Sequence, residues 1–298
     1  MPVPSSGPPL DLEVARGAST VTHTVVSFHG RESTAHEDEL AVEEPLEIRL
    51  AGHSLAVTMR TPGHDEELVA GFLFAERVIA SRDDLDVIAH YAGPEDDPRI
   101  GNVINVLLRK PEPAVWKRLE RNFFTSSACG LCGKATLDAI GLDLPPMEES
   151  LAIPLDAFYA LGPTLASAQA TFERTGGLHA AGLFDPSGRL LILREDVGRH
   201  NAVDKVVGHM LQAGRLPLSR HILMVSGRTS FEIVQKALVA RIPVVVSVSA
   251  PSSLAVQLAL ASGMTLVGFL RAGRLNVYTG QHRVAASWPP RDRPKDPP

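Results

Sequence analysis

Between Arg241 and Arg271 the chain carries no charged residue, and this run constrains the fold more than any other feature. An apolar stretch of that length is long enough to cross a bilayer as a helix. Pro243, Pro251, Ser252, Ser253 and Gly263 interrupt it, however, and a spanning helix does not explain their spacing. With those residues as boundaries the run divides into three pieces. Pro243–Ser249 reads as a buried strand, Ser252 or Ser253 caps a helix to about Ala261, and Thr265–Leu270 forms the last strand. A buried strand–helix–strand unit accounts for the pattern without a membrane.

The same alternation extends upstream. Leu178–Phe184 and Arg189–Leu193, joined by Asp185-Pro186-Ser187-Gly188, predict a strand–turn–strand unit. Helical spacing runs from Arg199 through Leu211, followed by a strand at His221–Ser226 and a helix at Ser230–Ala240. Thr229-Ser230-Phe231-Glu232 fits a capping box, with a hydroxyl at the N-cap and Glu232 three residues on. The order β-β-α-β-α-β-α-β predicts an α/β fold, a mixed sheet with helices on both faces.

In the first half, Leu46, Ile48, Leu50 and then Leu55, Val57, Met59 alternate around Ala51-Gly52-His53-Ser54, which predicts a hairpin. Thr61 to Glu67 opens a helix. Asp65, Glu66 and Glu67 suit its positive end, and Leu68, Phe72, Leu73 and Val78 follow on helical spacing. A strand at Asn102–Arg109 and a short helix near Ala114–Arg121 come next. The expected organisation is a proline-rich tail at 1–18, an α+β region at 19–140, a linker at 141–154, an α/β domain at 155–287 and a second tail at 288–298. Both tails have the polar, proline-rich composition of disordered segments.

Apolar residues make up 44% and charged residues 21% of the chain, the balance of an ordinary globular protein. The net charge of −5 leaves no broad cationic face for nucleic acid or acidic lipid. The first fifteen residues contain no basic residue and no apolar core, so they do not read as a signal peptide. A cytoplasmic protein is expected. His29 and His36, in a polar stretch, carry no usable signal.

Only two cysteines occur, Cys129 and Cys132, both in Ser126-Ser127-Ala128-Cys129-Gly130-Leu131-Cys132-Gly133-Lys134. Lys134 and the backbone amides beside Gly130 and Gly133 favour a thiolate. Small residues on both sides suit a loop that presents sulfur to partners. Cys129, the first thiol of the pair, is the more accessible nucleophile, and Cys132 would assist or resolve. Two other uses stay open: half of a zinc site, which needs two further ligands, and a dithiol–disulfide pair.

A second site is expected at the strand-to-helix turns. Ser226-Gly227-Arg228-Thr229-Ser230 follows a buried strand, so helix-start amides together with Arg228 form an anion cradle. Ser249-Ala250-Pro251-Ser252-Ser253 repeats the arrangement one strand later. Phe269, Arg271 and Arg274 then leave the last strand, where guanidinium forks suit phosphate. Asp196, Arg199, His200 and Asn201 gather at another helix start, either to orient a ligand or to cap and brace the helix. His179 allows the same two uses. The zinc chemistry of nucleobase deaminases needs His-x-Glu at one helix start and Pro-Cys-x-x-Cys at the next. Gly198-Arg199-His200-Asn201 and Thr229-Ser230-Phe231-Glu232 offer no cysteine at either place.

Five ordered motifs carry a resemblance: Cys129-Gly-Leu-Cys132-Gly, Thr175-Gly-Gly-Leu-His179-Ala-Ala, Arg194 through Ala202 with Asp204-Lys205, Ser226-Gly-Arg-Thr-Ser-Phe-Glu232, and Ser249 through Val256. Together they resemble the FdhD family of formate dehydrogenase accessory proteins over about residues 20 to 284. The resemblance implies a sulfurtransferase that takes persulfide sulfur from a cysteine desulfurase. It implies delivery to the molybdenum (or tungsten) cofactor, Mo-bis(molybdopterin guanine dinucleotide), required by formate dehydrogenase, with no permanent metal. It also implies a cytidine-deaminase-like C-terminal domain, a homodimer, and Cys129 as the persulfide bearer. Phe269, Leu270, Arg271, Ala272, Gly273 and Arg274 match the segment associated with the guanine dinucleotide. The alternative is a non-catalytic docking chaperone whose Cys129 and Cys132 bind zinc.

Overall fold

The computed structural model describes residues 14–94, 97, 99–110, 145–147 and 151–285. The expected helix near 114–121, the cysteine motif, half of the 141–154 linker, most of the first tail and all of the second lie outside the described residues.

β1 (Thr20–His29) and β2 (Glu32–Ala41) form a two-stranded antiparallel ribbon that the sequence did not announce. Most of its residues are exposed. Without a buried face there is no apolar alternation to detect. β3 (Glu44–Leu50) and β4 (His53–Arg60) are the expected hairpin, with Leu46, Ile48 and Leu50 buried. A bulge beside Ile48–Arg49 makes Leu55 the extra residue of β4 and breaks the alternation. Leu55 is buried, whereas Val57 and Met59 beyond it are 57% and 42% exposed.

α1 (Asp65–Ala75) stands where the helix was expected. β5 (Leu85–His90), an edge strand not foreseen, and β6 (Val103–Leu108) complete a four-stranded sheet of order β4-β3-β6-β5.

The second half starts with β7 (Ile153–Pro154) and two helices absent from the expectations, α2 (Leu155–Ala168) and α3 (Ala170–Thr175). β8 (His179–Phe184), β9 (Leu190–Asp196), α4 (Arg199–Gln212), β10 (Ile222–Val225), α5 (Phe231–Val239), β11 (Val244–Ser247), α6 (Ser253–Ala261) and β12 (Thr265–Arg271) follow in the expected order. Ser252 caps α6 as anticipated, its side chain accepting from the Ala255 amide at 3.2 Å. β12 is not the last strand. It turns through Ala272-Gly273 into β13 (Arg274–Thr279), and β14 (Val284–Ala285) later pairs with β7. β13 is an edge strand with polar residues among its apolar ones, so it carried no continuous apolar run.

These strands form a six-stranded mixed sheet of order β13-β12-β11-β10-β8-β9. β10, β11 and β12 are parallel; β8 opposes both β10 and β9, and β13 opposes β12. Alternate residues serve opposite faces, as strand geometry requires. Ala180, Phe184, Ile222, Met224, Val244 and Val246 pack with Phe158, Leu161 and Leu165 of α2. Ala181, Leu183, Leu223, Val225 and Val245 pack on the other face with α4, α5 and α6.

That second core does not stop at the sheet. It continues into Leu68, Val69 and Leu73 of α1 and Leu46, Ile48 and Ile104 of the first sheet. α1 and α4 cross almost backbone to backbone. A Cβ on Gly71 would collide with the carbonyl of Asp204, and one on Gly208 with the carbonyl of Glu67. Only glycine allows this approach.

Candidate functional site

The carboxyl ends of β10, β11 and β12 lie side by side, and the loops leaving them are laced together. The Thr229 amide donates to the Ala250 carbonyl at 3.3 Å, Ser252 to Thr229 at 2.9 Å, and Phe269 to Ser249 at 3.2 Å. A cavity of about 450 Å³ opens at this edge. Gln169, Phe172, His179, Ser226 and Val248 are among the residues lining it. Its lining is largely apolar with a few polar groups, the usual make-up of a small-molecule site.

Ser226 is bound into the scaffold. Its hydroxyl accepts from the Ala180 amide at 2.8 Å, and its own amide donates to the Ala180 carbonyl at 2.9 Å, extending the β8–β10 ladder. Arg228 is exposed and makes no hydrogen bond or ion pair with another described residue. Phe269 is 39% exposed and held at φ 53°, a left-handed conformation unusual for a bulky residue. Gly268 before it cannot be replaced freely, because a Cβ would sit 3.0 Å from both Pro251 and Tyr278.

The six residues from Phe269 to Arg274 do not all face outward. Leu270 is buried in the α2-side core. The Arg271 guanidinium folds back onto the carbonyls of Val248 and Leu270, which ties the β12–β13 turn to the cavity wall. Ala272 and Gly273 make the turn, with Gly273 at φ 70°, and Arg274 is exposed at the start of β13. Cys129 and Cys132 lie outside the described residues.

Asp196 and its neighbours brace the fold. Asp196 ends β9 fully buried, with Oδ2 2.7 Å from Lys205 Nζ and accepting from the Thr61 amide at 3.2 Å. Its Oδ1 accepts from the Gly198 amide at 2.8 Å and from Asn201 Nδ2 at 2.9 Å. Gly198, not Asp196, is the N-cap of α4. Lys205 also donates to the Thr61 carbonyl at 2.9 Å, and Asn201 to the Met59 carbonyl at 2.8 Å. This clasp joins the two halves.

His200 faces the other way. Its Nε2 lies 3.1 Å from Ser230 Oγ, and its Nδ1 lies 3.4 Å from Glu232 Oε2. Glu232 Oε1 is 3.8 Å from Lys236 Nζ, which donates to both Asp204 oxygens at 2.8 Å. Burial pushes the Asp204 carboxyl up to about 7, although the Lys236 ammonium pulls it down. The expected capping box is therefore not formed. Ser230 is the N-cap of α5 and makes no side-chain cap bond. Thr229 Oγ1 is buried without a hydrogen-bond partner among the described residues. Ser230 and Glu232 have instead found partners on the facing helix, which a local motif cannot reveal.

His179 stands against Gly227, where a Cβ would lie 3.2 Å from its Nδ1. Burial lowers the His179 imidazole below its usual value, and the nearby Arg199 charge adds to the shift. Arg199 Nε is itself buried without a hydrogen-bond partner among the described residues. The first-turn carboxylates of α1 do more than face a helix dipole. Asp65 receives Arg60 Nε at 3.1 Å, and Glu67 receives Arg194 at 2.6 and 2.8 Å and pairs with His209 at 2.9 Å. Sequence reasoning missed Gln169, the buried junction between the two unforeseen helices, and Phe172 of α3. Among the described residues no group of three or more His, Cys, Asp or Glu side chains is arranged to hold a metal ion.

Comparison with known proteins places this arrangement. The family model described as the FdhD/NarQ family matches residues 41–285, which takes in both sheets, the clasp and the carboxyl edge. The chain belongs to the FdhD/NarQ family. Relatives named Sulfur carrier protein FdhD share this architecture's sequence over most of its length. The one from Streptomyces avermitilis is 50% identical over 279 residues, covering 90% of this chain and 97% of that relative. The one from Nocardia farcinica is 48% identical over 271 residues, covering 90% and 96%. Mycobacterium tuberculosis supplies another at 46% over 274 residues, covering 90% and 99%. A crystal structure from Desulfotalea psychrophila, assigned as a formate dehydrogenase accessory protein, superposes with a TM-score of 0.69 at 26% identity. The match covers 90% of this chain and 100% of that one. Within the family match, the β1–β2 ribbon is almost wholly excluded, whereas the β10–β12 edge is wholly included.

Proposed function

We propose that this protein carries sulfur for formate dehydrogenase, as a persulfide-bearing sulfurtransferase. The observation that carries the reading is the 50% identity, over 90% of the chain, with a relative named for sulfur carriage. The only two cysteines of the sequence, Cys129 and Cys132, stand in one CxxC motif, which gives that role its chemistry. The Cys129 thiolate attacks the terminal sulfur of a cysteine desulfurase persulfide. One S–S bond forms, another breaks, and the desulfurase thiolate leaves.

The acceptor is the molybdenum (or tungsten) bis-guanine-dinucleotide cofactor, a cargo rather than a resident group. Phe269 offers an aromatic face and Arg228 and Arg274 offer exposed cations for a base and its phosphates. Arg271, Ala272 and Gly273 shape the turn, and Ser226 and Leu270 hold the strands beneath it. The cavity of about 450 Å³ accepts a ring system of nucleobase or pterin size. A cytoplasmic homodimer is part of the same proposal. No helix among the described residues is long and apolar enough to cross a membrane.

The test is intact-protein and peptide mass spectrometry after incubation with a cysteine desulfurase and cysteine. The expected result is one additional, reductant-labile sulfur on Cys129, absent from Cys129→Ala, with GDP binding retained in that variant. Stoichiometric zinc on the cysteine pair with no added sulfur overturns the proposal.

A further inference from the structure

Two helix starts meet at the carboxyl edge and assemble a constellation that sulfur carriage does not use. Ser230 Oγ is 3.1 Å from His200 Nε2, across 30 residues of sequence, and the opposite ring nitrogen is 3.4 Å from Glu232 Oε2, within ion-pair reach but not hydrogen-bonded to it. Hydroxyl, imidazole and carboxylate stand in the order of nucleophile, base and orienting group, which is recognised by geometry rather than by fold. Burial is graded in the same order. Ser230 is half-buried and reachable, while the His200 and Glu232 side chains are each only 11% exposed.

The surroundings suit a reacting hydroxyl. As N-cap of α5, Ser230 has the usual hydroxyl for the job, yet it makes no cap bond and turns to the imidazole. The helix repeat begins with the Val234 amide donating to the Ser230 carbonyl, so the amides of Phe231, Glu232 and Ile233 have no acceptor within the helix. Those amides lie beside the hydroxyl and can stabilise a developing oxyanion. Arg199, next to His200, has a buried Nε without a hydrogen-bond partner among the described residues. Arg228, two residues before Ser230, is exposed. Both cations favour a substrate that carries an anionic group near the reacting centre.

We propose that Ser230 is an activated nucleophile, with His200 its base and Glu232 the group that orients the imidazole, acting on a carboxylic ester that bears a nearby carboxylate or phosphate. In the step, the Ser230 oxygen bonds to the acyl carbon while its proton passes to His200 Nε2. The ester C–O bond then breaks and the leaving alkoxide takes that proton. A water, giving its proton to His200, cleaves the acyl-serine, which restores the hydroxyl and releases the carboxylic acid. No electrons are gained or lost, and no metal is required.

The full chain is incubated with a fluorophosphonate probe, and the adduct is mapped by peptide mass spectrometry. Modification of Ser230 is expected, absent in Ser230→Ala and slowed about a hundredfold in His200→Gln, the range of a lost general base. A folded wild-type protein that is not modified at Ser230 overturns the proposal, as does unchanged labelling in folded His200→Gln. A second reading uses the Cys129→Ala, Cys132→Ala double variant, because a free thiolate would itself release nitrophenolate. Mixing it with the mono-4-nitrophenyl ester of terephthalate, whose carboxylate cannot reach its own ester, should release a burst of nitrophenolate equal to the protein concentration, faster than with 4-nitrophenyl benzoate. No burst overturns the nucleophile, and equal rates for the two esters overturn the anionic specificity. Fluorophosphonate labelling does not depend on Cys129, so Cys129→Ala should label like the wild type. The sulfur-carrier proposal and this one therefore fail separately.

Discussion

Asp196 and Ser230 stand at the carboxyl edge of one sheet, Asp196 ending β9 before α4 and Ser230 capping α5 after β10, yet their surroundings differ in kind. Around Asp196 both carboxylate oxygens are bonded, and the partner groups Lys205 and Asn201 are themselves bonded to Thr61 and Met59. Around Ser230 the network is incomplete. Thr229 Oγ1 and Arg199 Nε are buried without hydrogen-bond partners among the described residues, and three helix-start amides have no acceptor within the helix. A saturated cluster holds two parts of a molecule together. An unsaturated one is costly to keep and marks a place where something else is meant to bind. The contrast separates scaffold from chemistry more clearly than residue type does, since both clusters consist of carboxylates, cations and amides.

The comparison breaks most decisively at the clasp. Asp196→Ala leaves Lys205, only 1% exposed, as an uncompensated buried charge, and should cost about 3–5 kcal/mol in denaturant unfolding. A loss below about 1 kcal/mol would mean that the clasp does not hold the halves. Lys236→Met should cost less, about 2–3 kcal/mol, although Asp204 is equally buried. The reason is that Asp204, pushed up to about 7, can shed its charge by taking a proton near neutrality.

The same carboxyl gives a pH signature. Its folded value of about 7 lies above the ordinary 3.8, so its stabilising contribution is complete below 3.8 and lost as pH rises towards 7. The Asp204→Asn difference curve, measured by thermal unfolding, should show that slope. His179 supplies the opposite sign. Its imidazole is lowered from 6.5 by burial and by Arg199, so stability is lost as pH falls below 6.5, and His179→Gln should flatten that loss. The smallest effect belongs to Ser230→Ala, which should change stability by about 1 kcal/mol or less, because the lost hydroxyl is half-buried and bonded once. A large loss there would move Ser230 into the scaffold class.

Much of the second half was legible because its signals are local. The charge-free run fell into β11, α6 and β12, and Ser252 capped α6 as its position suggested. The carboxyl-edge turns were legible too, since a strand handing over to a helix fixes where its amides point. What escaped notice had no buried stripe of its own or depended on distant residues. β1 and β2 face solvent on both sides, β13 is a polar edge, and Leu55 shifted the phase of β4 through a bulge. The Thr229–Glu232 segment matched a capping box by spacing, but Ser230 bonds to His200 and Glu232 lies near His200 and Lys236 instead of the helix amides. Glu67 likewise served Arg194 and His209 before any dipole. Pairings across α4 and α5 cannot be read from four-residue windows.

The flush meeting of α1 and α4 at Gly71 and Gly208 has a mechanical meaning. Neither rod can roll or creep past the other without forcing a carbonyl into its neighbour's spine, so the joint has no slack. A push on the N-terminal sheet therefore arrives undamped at the helix whose first turn carries His200. Severing the chain between the halves would strand a wet, greasy strip on each fragment, and a protein built this way cannot be taken apart into working modules.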